Sequence, residues 1–395
     1  MYKLTCLWIL CFCLLSCQES VQNNNVKLDY EKISAVEIFL NGEDQYNHSQ
    51  IQLKDSCFVI GLDRDFQKLD IFSYCDQSFN KTIAFSNDGP NRIFPITSFY
   101  YHSSDSIFLF SLDASVFQLI DQEANLINEW RLLENIFPRN VGEEIDGGTG
   151  YFYPFSLTQN GMFNIPFKYD SLAGQLVFNI VAQSSFSGFH DLKTFYSSPV
   201  LTKYSIKDDT FRDFEGHWPK IYQKSEAPNN PFNNFAFNIS KNEEIINFYN
   251  SNNVFSSIND KFYEIKSDFI DQSFTLFSIT EGFDYTTEQE LEAYHNDEGY
   301  VNLVYDTYRK LYYRIAKHAN KNSGNENMHR MESAWSIVVF NEQYEILGEV
   351  LMPKTIYNYL HILPTPQGIL ISKENPYSPT NKEEVYEFDL IEIKY

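Results

Sequence analysis

Glycine and proline are scarce in this chain, 16 and 14 of 395 residues. With 43% hydrophobic and 21% charged residues the composition excludes disorder and provides for a large core. Positive charge is short as well: 30 Lys and Arg face 53 Asp and Glu, a net −23, and no basic stripe offsets it. So acidic a surface repels phosphate backbones, and nucleic acid is not an expected partner. The acidity also keeps an aromatic-rich chain soluble. Catalytic motifs are missing: there is no G-x-S-x-G elbow, no H-E-x-x-H, no phosphate-binding loop and no C-x-x-C. None of the eight histidines stands at metal-ligand spacing from another, so no metal site is assigned; His318 and His329 fall in a polar loop, Lys317–Arg330, where solvation is the default. No sustained helix-period segment occurs. Thr287–His295 is the best short helix, with Thr287 and Glu290 spaced as a capping box.

What is present begins at the first residues. Lys3 gives a positive start, Leu4–Leu15 is apolar, and Leu14-Leu15-Ser16-Cys17 closes the segment. The run covers twelve residues, short of the ~20 that a spanning helix needs. This order reads as a secretory leader over 1–16, with a lipobox that makes Cys17 the acylated residue; an ordinary leader with an incidental cysteine is the other reading. Residues 17–32 are then the lipidated cysteine and a flexible polar tether, QESVQNNN at its start, and 33–395 the folded domain. The expected location is a Gram-negative envelope, with the membrane as partner through the lipid. Gln18 carries no acidic retention signal, which favours the outer membrane and leaves its face open.

Only Cys57 and Cys75 remain in the folded part. They flank the strand-like runs Cys57–Leu62 and Leu69–Tyr74, and a hairpin centred on Phe66 sets them opposite each other. In an oxidising compartment such a pair can bridge; two buried thiols are the alternative.

Aromatics are abundant, 35 Phe and 27 Tyr, and suit half-buried pleated surfaces. Short strands separated by Asp/Asn/Gly turns follow one another: Ile107–Phe110, Val116–Ile120, Leu126–Leu132, and again Ile337–Phe340 and Tyr344–Val350. They group into six units, Ile51–Phe85, Thr97–Leu132, Tyr151–Phe214, Asn233–Lys266, Tyr300–Met352 and Ile356–Tyr395. The early strand Val36–Leu40 is left over. The expectation is an all-β propeller of about six blades, closed by N- and C-terminal strands in one blade, with a sandwich pair or a solenoid as competitors. In the last strand the apolar phase shifts between Leu390 and Ile391, which predicts a bulge or bend.

Three segments carry candidate chemistry. In the turn Asp88-Gly89-Pro90-Asn91-Arg92, Asn91 and Arg92 are placed to donate to a carboxylate or sugar acid; a plain inter-blade turn is the competing reading. Glu143–Gly150 offers Asp146 and neighbouring carboxylates to calcium, although its spacing is not that of an EF-hand and an exposed acidic loop explains it as well. Tyr305–Arg314, read as one strand, puts Arg309 among alternating aromatics, beside Asp306, in the manner of a recognition surface; a buried blade strand needs the same alternation and is the favoured reading. The candidate ligand-binding set is therefore Asp88, Asn91, Arg92, Asp146, Asp306 and Arg309, with no catalytic residue assigned.

The lipobox leader, the Asp88–Asn91 turn and the Tyr305–Arg314 segment together resemble a group of bacterial lipoproteins classed as a domain of unknown function and related to TolB-like six-bladed β-propellers. The resemblance implies that fold and an envelope location, and supplies no activity and no catalytic residues. The reading is a lipid-anchored binding or scaffold module that recognises an envelope protein or a small ligand on its loop-rich face, with no cofactor required. The alternative is a calcium-dependent lactone or ester hydrolase, which requires Asp88, Asp146 and Asp306 to converge on the ring axis.

Overall fold

The structure is a computed structural model of the chain. It describes residues 26–39, 48–132 except 56, 64–66, 112, 113 and 115, 150–154, 167–184, 196–224 except 198, 226–228, 233–238, 243–278 except 272 and 273, 292, 295–320, 329–379, 382 and 385–395. Cys17, Asp146, the Glu143–Thr149 loop and most of Thr287–His295 lie outside these residues. Among the described residues no helix is long and apolar enough to cross a membrane.

Six antiparallel blades follow in chain order. Blade I is β2 (His48–Leu53), β3 (Phe58–Asp63), β4 (Lys68–Ser73) and β5 (Ser78–Ala84). Blade II is β6 (Ser98–Ser103), β7 (Ser106–Ser111), β8 (Val116–Ile120) and β9 (Leu126–Arg131). In blade III, β12 (Gln175–Ser184) outruns its neighbours. Its first half pairs with β11 (Phe167–Asp170) and β13 (Leu201–Ser205), its second half with β10 (Gly150–Pro154), and β14 (Thr210–Glu215) forms the edge. Blade IV is β16 (Asn233–Asn238), β17 (Glu243–Phe248), β18 (Asn253–Ser256) and β19 (Lys261–Glu264). A small extra sheet, β15 (Glu226–Pro228) with β20 (Leu276–Ser278), joins the connections on either side of it. Blade V is β21 (Gly299–Asp306), β22 (Leu311–Lys317), β23 (Trp335–Asn341) and β24 (Ile346–Met352). Blade VI takes β25 (Ile362–Pro364), β26 (Ile369–Ser372) and β27 (Val385–Lys394), and its outer strand is β1 (Asp29–Phe39). The predicted closure is therefore present, and the six units fall where the sequence divides them. Strand β1 begins at Asp29, within the stretch read as tether, and Lys27 already bridges to Glu349.

The core lies between blades rather than within one sheet. Val36, Ile38, Val59, Phe72 and Phe388 fill the seam between VI and I, and Ile60, Ile71, Phe99 and Leu109 that between I and II. Phe108, Phe117, Phe167 and Phe178 join II to III, and Val177, Leu201, Ile246 and Phe255 join III to IV. Ile245, Leu303 and Phe340 join IV to V, and Ile315, Trp335, Ile369 and Ile391 join V to VI. Six seams close one ring. Each central strand is covered on both faces, so β22 is buried along its whole length. Wedge-shaped seams need bulk, which accounts for the aromatic-rich composition. The innermost strands are held by side-chain amides as well: Gln50 takes Phe99 N and Ser98 Oγ (3.0 and 2.9 Å) and donates to Phe99 O (2.8 Å). Two residues on, Gln52 brackets Tyr101 in the same way, at 2.8 Å each.

One turn recurs at the third-to-fourth-strand hairpin of blades I to V. It opens on Ser73, Asp121, Ser205, Ser256 or Asn341, whose side-chain oxygen accepts a backbone N–H two to four residues ahead. It closes on a residue with positive φ, namely Gln77, Ala124, Asp209, Asp260 and Tyr344. The same device corrects one sequence expectation. Tyr305–Arg314 is a hairpin, not a strand: Asp306 Oδ1 accepts from Tyr308 N (2.9 Å) and Arg309 N (3.0 Å), Lys310 has φ 59°, and Tyr305 pairs with Tyr312. The expected irregularity in the last strand also has a cause. Lys32 pairs with Ile391 and Ser34 with Leu390, so the extra residue is Ile33, on β1.

Cys57 and Cys75 are bonded, with Cα atoms 5.3 Å apart. The register differs by one place from the expected one. Phe58 pairs with Ser73 and Tyr74 N donates to Cys57 O, so the bond closes just outside the ladder. It ties the first-to-second-strand turn of blade I to its third-to-fourth-strand turn, across 18 residues. Reduction is expected to lower stability by about 3 kcal/mol through the freed loop. Urea unfolding with and without a phosphine reductant measures this; coincident curves would remove the bond as a stabiliser.

Candidate functional site

Strands alternate in direction, so first-to-second and third-to-fourth turns share one face of the ring. Second-to-third turns and blade-to-blade connections share the other. The first, the turn face, carries the tight turns just described. The second, the loop face, carries the long connections: 185–200, 216–232, 265–298, 318–334 and 373–384. Over blades IV to VI these connections bring together residues that are distant in the chain.

The base of this region is Arg314 on β22, fully buried. Its Nε donates to Asn247 Oδ1 (2.7 Å), and its two terminal nitrogens donate to the carbonyls of Asn252 (2.8 Å), Ser251 (2.6 Å), Asn253 (3.2 Å) and Ile265. The guanidinium lies 3.4 Å from the centre of the Tyr300 ring. Burial pulls its pKa down to about 10, against the attraction of Tyr300 and Tyr222. Five acceptors in fork geometry leave it no donor for a ligand: it holds the blade IV turn 248–253 against blade V.

Above it stands Lys317, at the loop-face end of the same strand and also fully buried. It donates to Asp297 O, and desolvation lowers its pKa to about 7. The Asp297 carboxylate is raised by burial and holds Thr275 through N (2.6 Å) and Oγ1 (2.9 Å). Next to this pair the His329 ring meets His295 at 4.7 Å, tilted by 47°, and stacks on the exposed Tyr377 at 4.8 Å. Each ring comes from a different connection. Backbone N–H groups fix both histidines: Arg330 N donates to His295 Nδ1 and Met331 N to His329 Nδ1, both at 3.2 Å. An Nδ1 that accepts leaves the proton of the neutral ring on Nε2, which suits donation to an anion or carbonyl and disfavours metal ligation through Nε2. His318 stacks on Phe269 at 4.7 Å and meets Ser336 Oγ at 2.9 Å, and Ser336 donates to the buried Glu349 (2.5 Å). The solvated role expected of His318 and His329 is therefore not the observed one. Both are half-buried in aromatic contacts.

Burial, with the Lys317 charge added, lowers His295 and His318 to about 4. An unfolded histidine titrates near ~6.5, so the folded state binds fewer protons than the unfolded chain between these values. Stability held above ~6.5 is lost as the pH falls towards 4. The urea midpoint should drop over this window, and His318→Phe should remove about 2 kcal/mol of the drop at pH 4.5. An identical pH slope in wild type and H318F would refute this.

Among the described residues, the candidates Asp88, Asn91, Arg92, Asp306 and Arg309 do not come together in one site. Asp88, Asn91 and Arg92 form an exposed turn between blades I and II. Ser86 Oγ donates to Asp88 O (2.9 Å), Asn91 Nδ2 to Asn125 Oδ1 (3.3 Å), and Arg92 lies over Phe94. Asp306 and Arg309 belong to the blade V turn. The buried Asp306 carboxylate also takes Arg309 Nη1 (2.8 Å) and Tyr313 Oη (2.9 Å). Arg309 donates in turn to the Thr365 and Pro366 carbonyls of blade VI, at 2.9 and 3.3 Å. Among the described residues no three His, Cys, Asp or Glu side chains group in a way that could hold a metal ion. The cluster around His329 left one faint sequence trace, two His and one Arg in the Asn-rich connection 318–334.

The family model for a domain of unknown function, DUF4221, matches residues 25–351. The chain belongs to the DUF4221 family. A DUF4221 member from Bacteroides vulgatus ATCC 8482, of solved structure, is 15% identical at a TM-score of 0.73, covering 94% of this chain and 99% of that one. At that identity the likeness is one of fold. A "putative exported protein" of Bacteroides fragilis NCTC 9343 is 10% identical at a TM-score of 0.49, covering 95% and 98%. No curated protein matches the DUF4221 chain described here.

Proposed function

We propose that this DUF4221 protein is a lipid-anchored envelope binding module that recognises a protein or small ligand with the loop face of blades IV to VI. The observation that carries the reading is the asymmetry of the ring. One face is closed by repeated tight turns, whereas the other gathers the half-buried His295 and His329 and the exposed Tyr377 from three connections beside a buried lysine. Stacked aromatics next to hydrogen-bond donors make a recognition surface. The Cys57–Cys75 bond supports export, since such bonds persist in oxidising compartments, and the Leu14–Cys17 lipobox supports the anchor.

Crosslinked co-purification from native membranes tests the proposal. The expected result is one partner in stoichiometric amount, lost in Tyr377→Ser and retained in Leu172→Ser, an exposed turn-face control. Recovery of no partner, or equal recovery with both variants, would count against the loop face as the recognition surface.

A further inference from the structure

We propose that the turn face of blades V and VI is a membrane-contact surface, laid against the bilayer that holds the Cys17 lipid. The inference rests on the anchor proposed above and adds the orientation of the ring.

The path of the chain comes first. Before β1 it runs along the outer strand of blade V: Glu349 N donates to Val26 O (2.8 Å) and Leu28 N to Glu349 O (2.9 Å). Gly348 permits this approach, because a Cβ there would stand 2.3 Å from Val26 O. The chain then enters β1 at Asp29, opposite Lys394, which is the turn-face end of blade VI. From Cys17 to Val26 it advances nine residues, a reach of at most about 30 Å. The ten residues of β27 span about as much between the two faces. The tether is thus short on the scale of the ring, and it leaves from the V–VI edge.

The surface at that edge comes second. Val26 (66% exposed), Ile33 (48%), Tyr308 (46%) and Tyr395 (64%) are all uncovered there. Ile33 is the bulge residue of β1, turned out over the blade VI turn, where it lies 3.3 Å from the Cβ position of Gly368. Tyr308 belongs to the blade V turn that Arg309 fastens to Thr365 and Pro366, and Tyr395 is close enough to Arg309 to perturb it. Cations interleave with these side chains. Lys27 and Lys310 make no ion pair among the described residues, while Lys32 and Lys394 are balanced by Asp389, Glu31 and Glu392. Asp29, Glu342 and Glu345 also lie on this face, so with Arg309 and Asp306 five cations meet seven carboxylates among the described residues; in a chain of net charge −23 the edge is only weakly negative and approaches an anionic headgroup layer against less repulsion than the rest of the surface. Tyrosines and aliphatic side chains ringed by lysine suit the bilayer interface. The loop face then points away from the membrane.

The test uses the lipidated full chain, reconstituted in phosphatidylethanolamine–phosphatidylglycerol vesicles that carry a shallow nitroxide lipid. Tyr308→Trp, Tyr395→Trp and, on the loop face, Tyr377→Trp report contact against Trp130, Trp218 and Trp335, which are buried. Melting curves that match wild type establish folding of each variant. The added emission of Y308W and of Y395W should fall about twofold or more, as for a side chain at the headgroup boundary, with that of Y377W unaffected. Equal quenching in Y308W and Y377W, or none in Y308W and Y395W in protein that floats with the vesicles, overturns the docking and leaves the anchor standing. Protein that carries no acyl chain and fails to float removes the anchor, and the docking falls with it.

Discussion

Arg314→Met should lower the melting temperature by about 5 °C or more. The substitution leaves a side chain of similar length against Tyr300 but strips hydrogen bonds from Asn247 Oδ1 and from the Ser251, Asn252, Asn253 and Ile265 carbonyls. Each buried acceptor left unpaired costs roughly 1–3 kcal/mol. Even if only two fail to find water, the loss approaches about 4 kcal/mol, a large fraction of the ~5–15 kcal/mol that holds a domain folded. The offsetting gain is relief of a desolvated cation, whose lowered pKa shows that burial works against its charge. Five acceptors outweigh that relief. Arg314→Lys should recover little, because one ammonium cannot reach acceptors spread across a planar fork. Thermal unfolding followed by near-UV circular dichroism decides the matter. A melting point within about 1 °C of wild type for R314M would show that water replaces the guanidinium and that the IV–V seam does not depend on it.

The contrast between Arg314 and Arg309 shows which parts of this protein are legible in its sequence. The blades were legible because each hairpin is local: apolar runs such as Ile107–Phe110 and Val116–Ile120 are joined by turns whose chemistry lies within five residues. The closing strand was legible by elimination, as Val36–Phe39 had no partner until the last unit supplied one. The disulfide was legible as a pairing but not in register, because the turn between Asp63 and Lys68 sets the ladder one place off symmetry about Phe66. The Tyr305–Arg314 hairpin was misread because aromatic alternation continues across it. The signal that breaks it is Asp306 followed four residues later by a residue with positive φ, the same signal that opens with Ser205 and Ser256 elsewhere. The candidate site was not legible. His295, His329 and Tyr377 meet only because blades IV, V and VI stand side by side, and no local pattern encodes which connections touch. Asp306 and Arg309 are ligand candidates when the segment is taken as one strand, and in the structure their charges fasten two turns together.

Ile38→Asp should open the ring at the seam between blades VI and I. Ile38 is fully buried on β1, packed with Val36, Val59, Phe72, Tyr386 and Phe388. An aspartate there has two routes. It stays ionised without a partner, or it takes up a proton and still leaves polar atoms in an apolar seam; either costs several kcal/mol, on the order of 4 or more. The site is unlike an equally buried position in blades I to V. Their outer strands are joined to their blades by hairpins, so a disrupted seam there leaves each sheet intact. β1 is joined to β27 by hydrogen bonds and side chains alone, among them Lys382 with Glu37 (2.6 Å) and Glu387 (3.2 Å). Its release therefore exposes the edge of β27 and the apolar seam in one step. Limited proteolysis should then give early cuts on both sides of β1 while fragments of blades II to V resist, and Ile38→Ala should show the same order of cuts at a lower loss, about 2–5 kcal/mol. Cuts spread evenly over the chain in I38D would mean that the propeller unfolds as one unit and that closure is no weaker than the other seams. Cuts confined to β1 would bear on the proposed anchor as well, because the strand that closes the ring is the one that continues towards Cys17, and a load on that tether would pass through the Val26–Leu28 bonds to Glu349 directly into the closing strand.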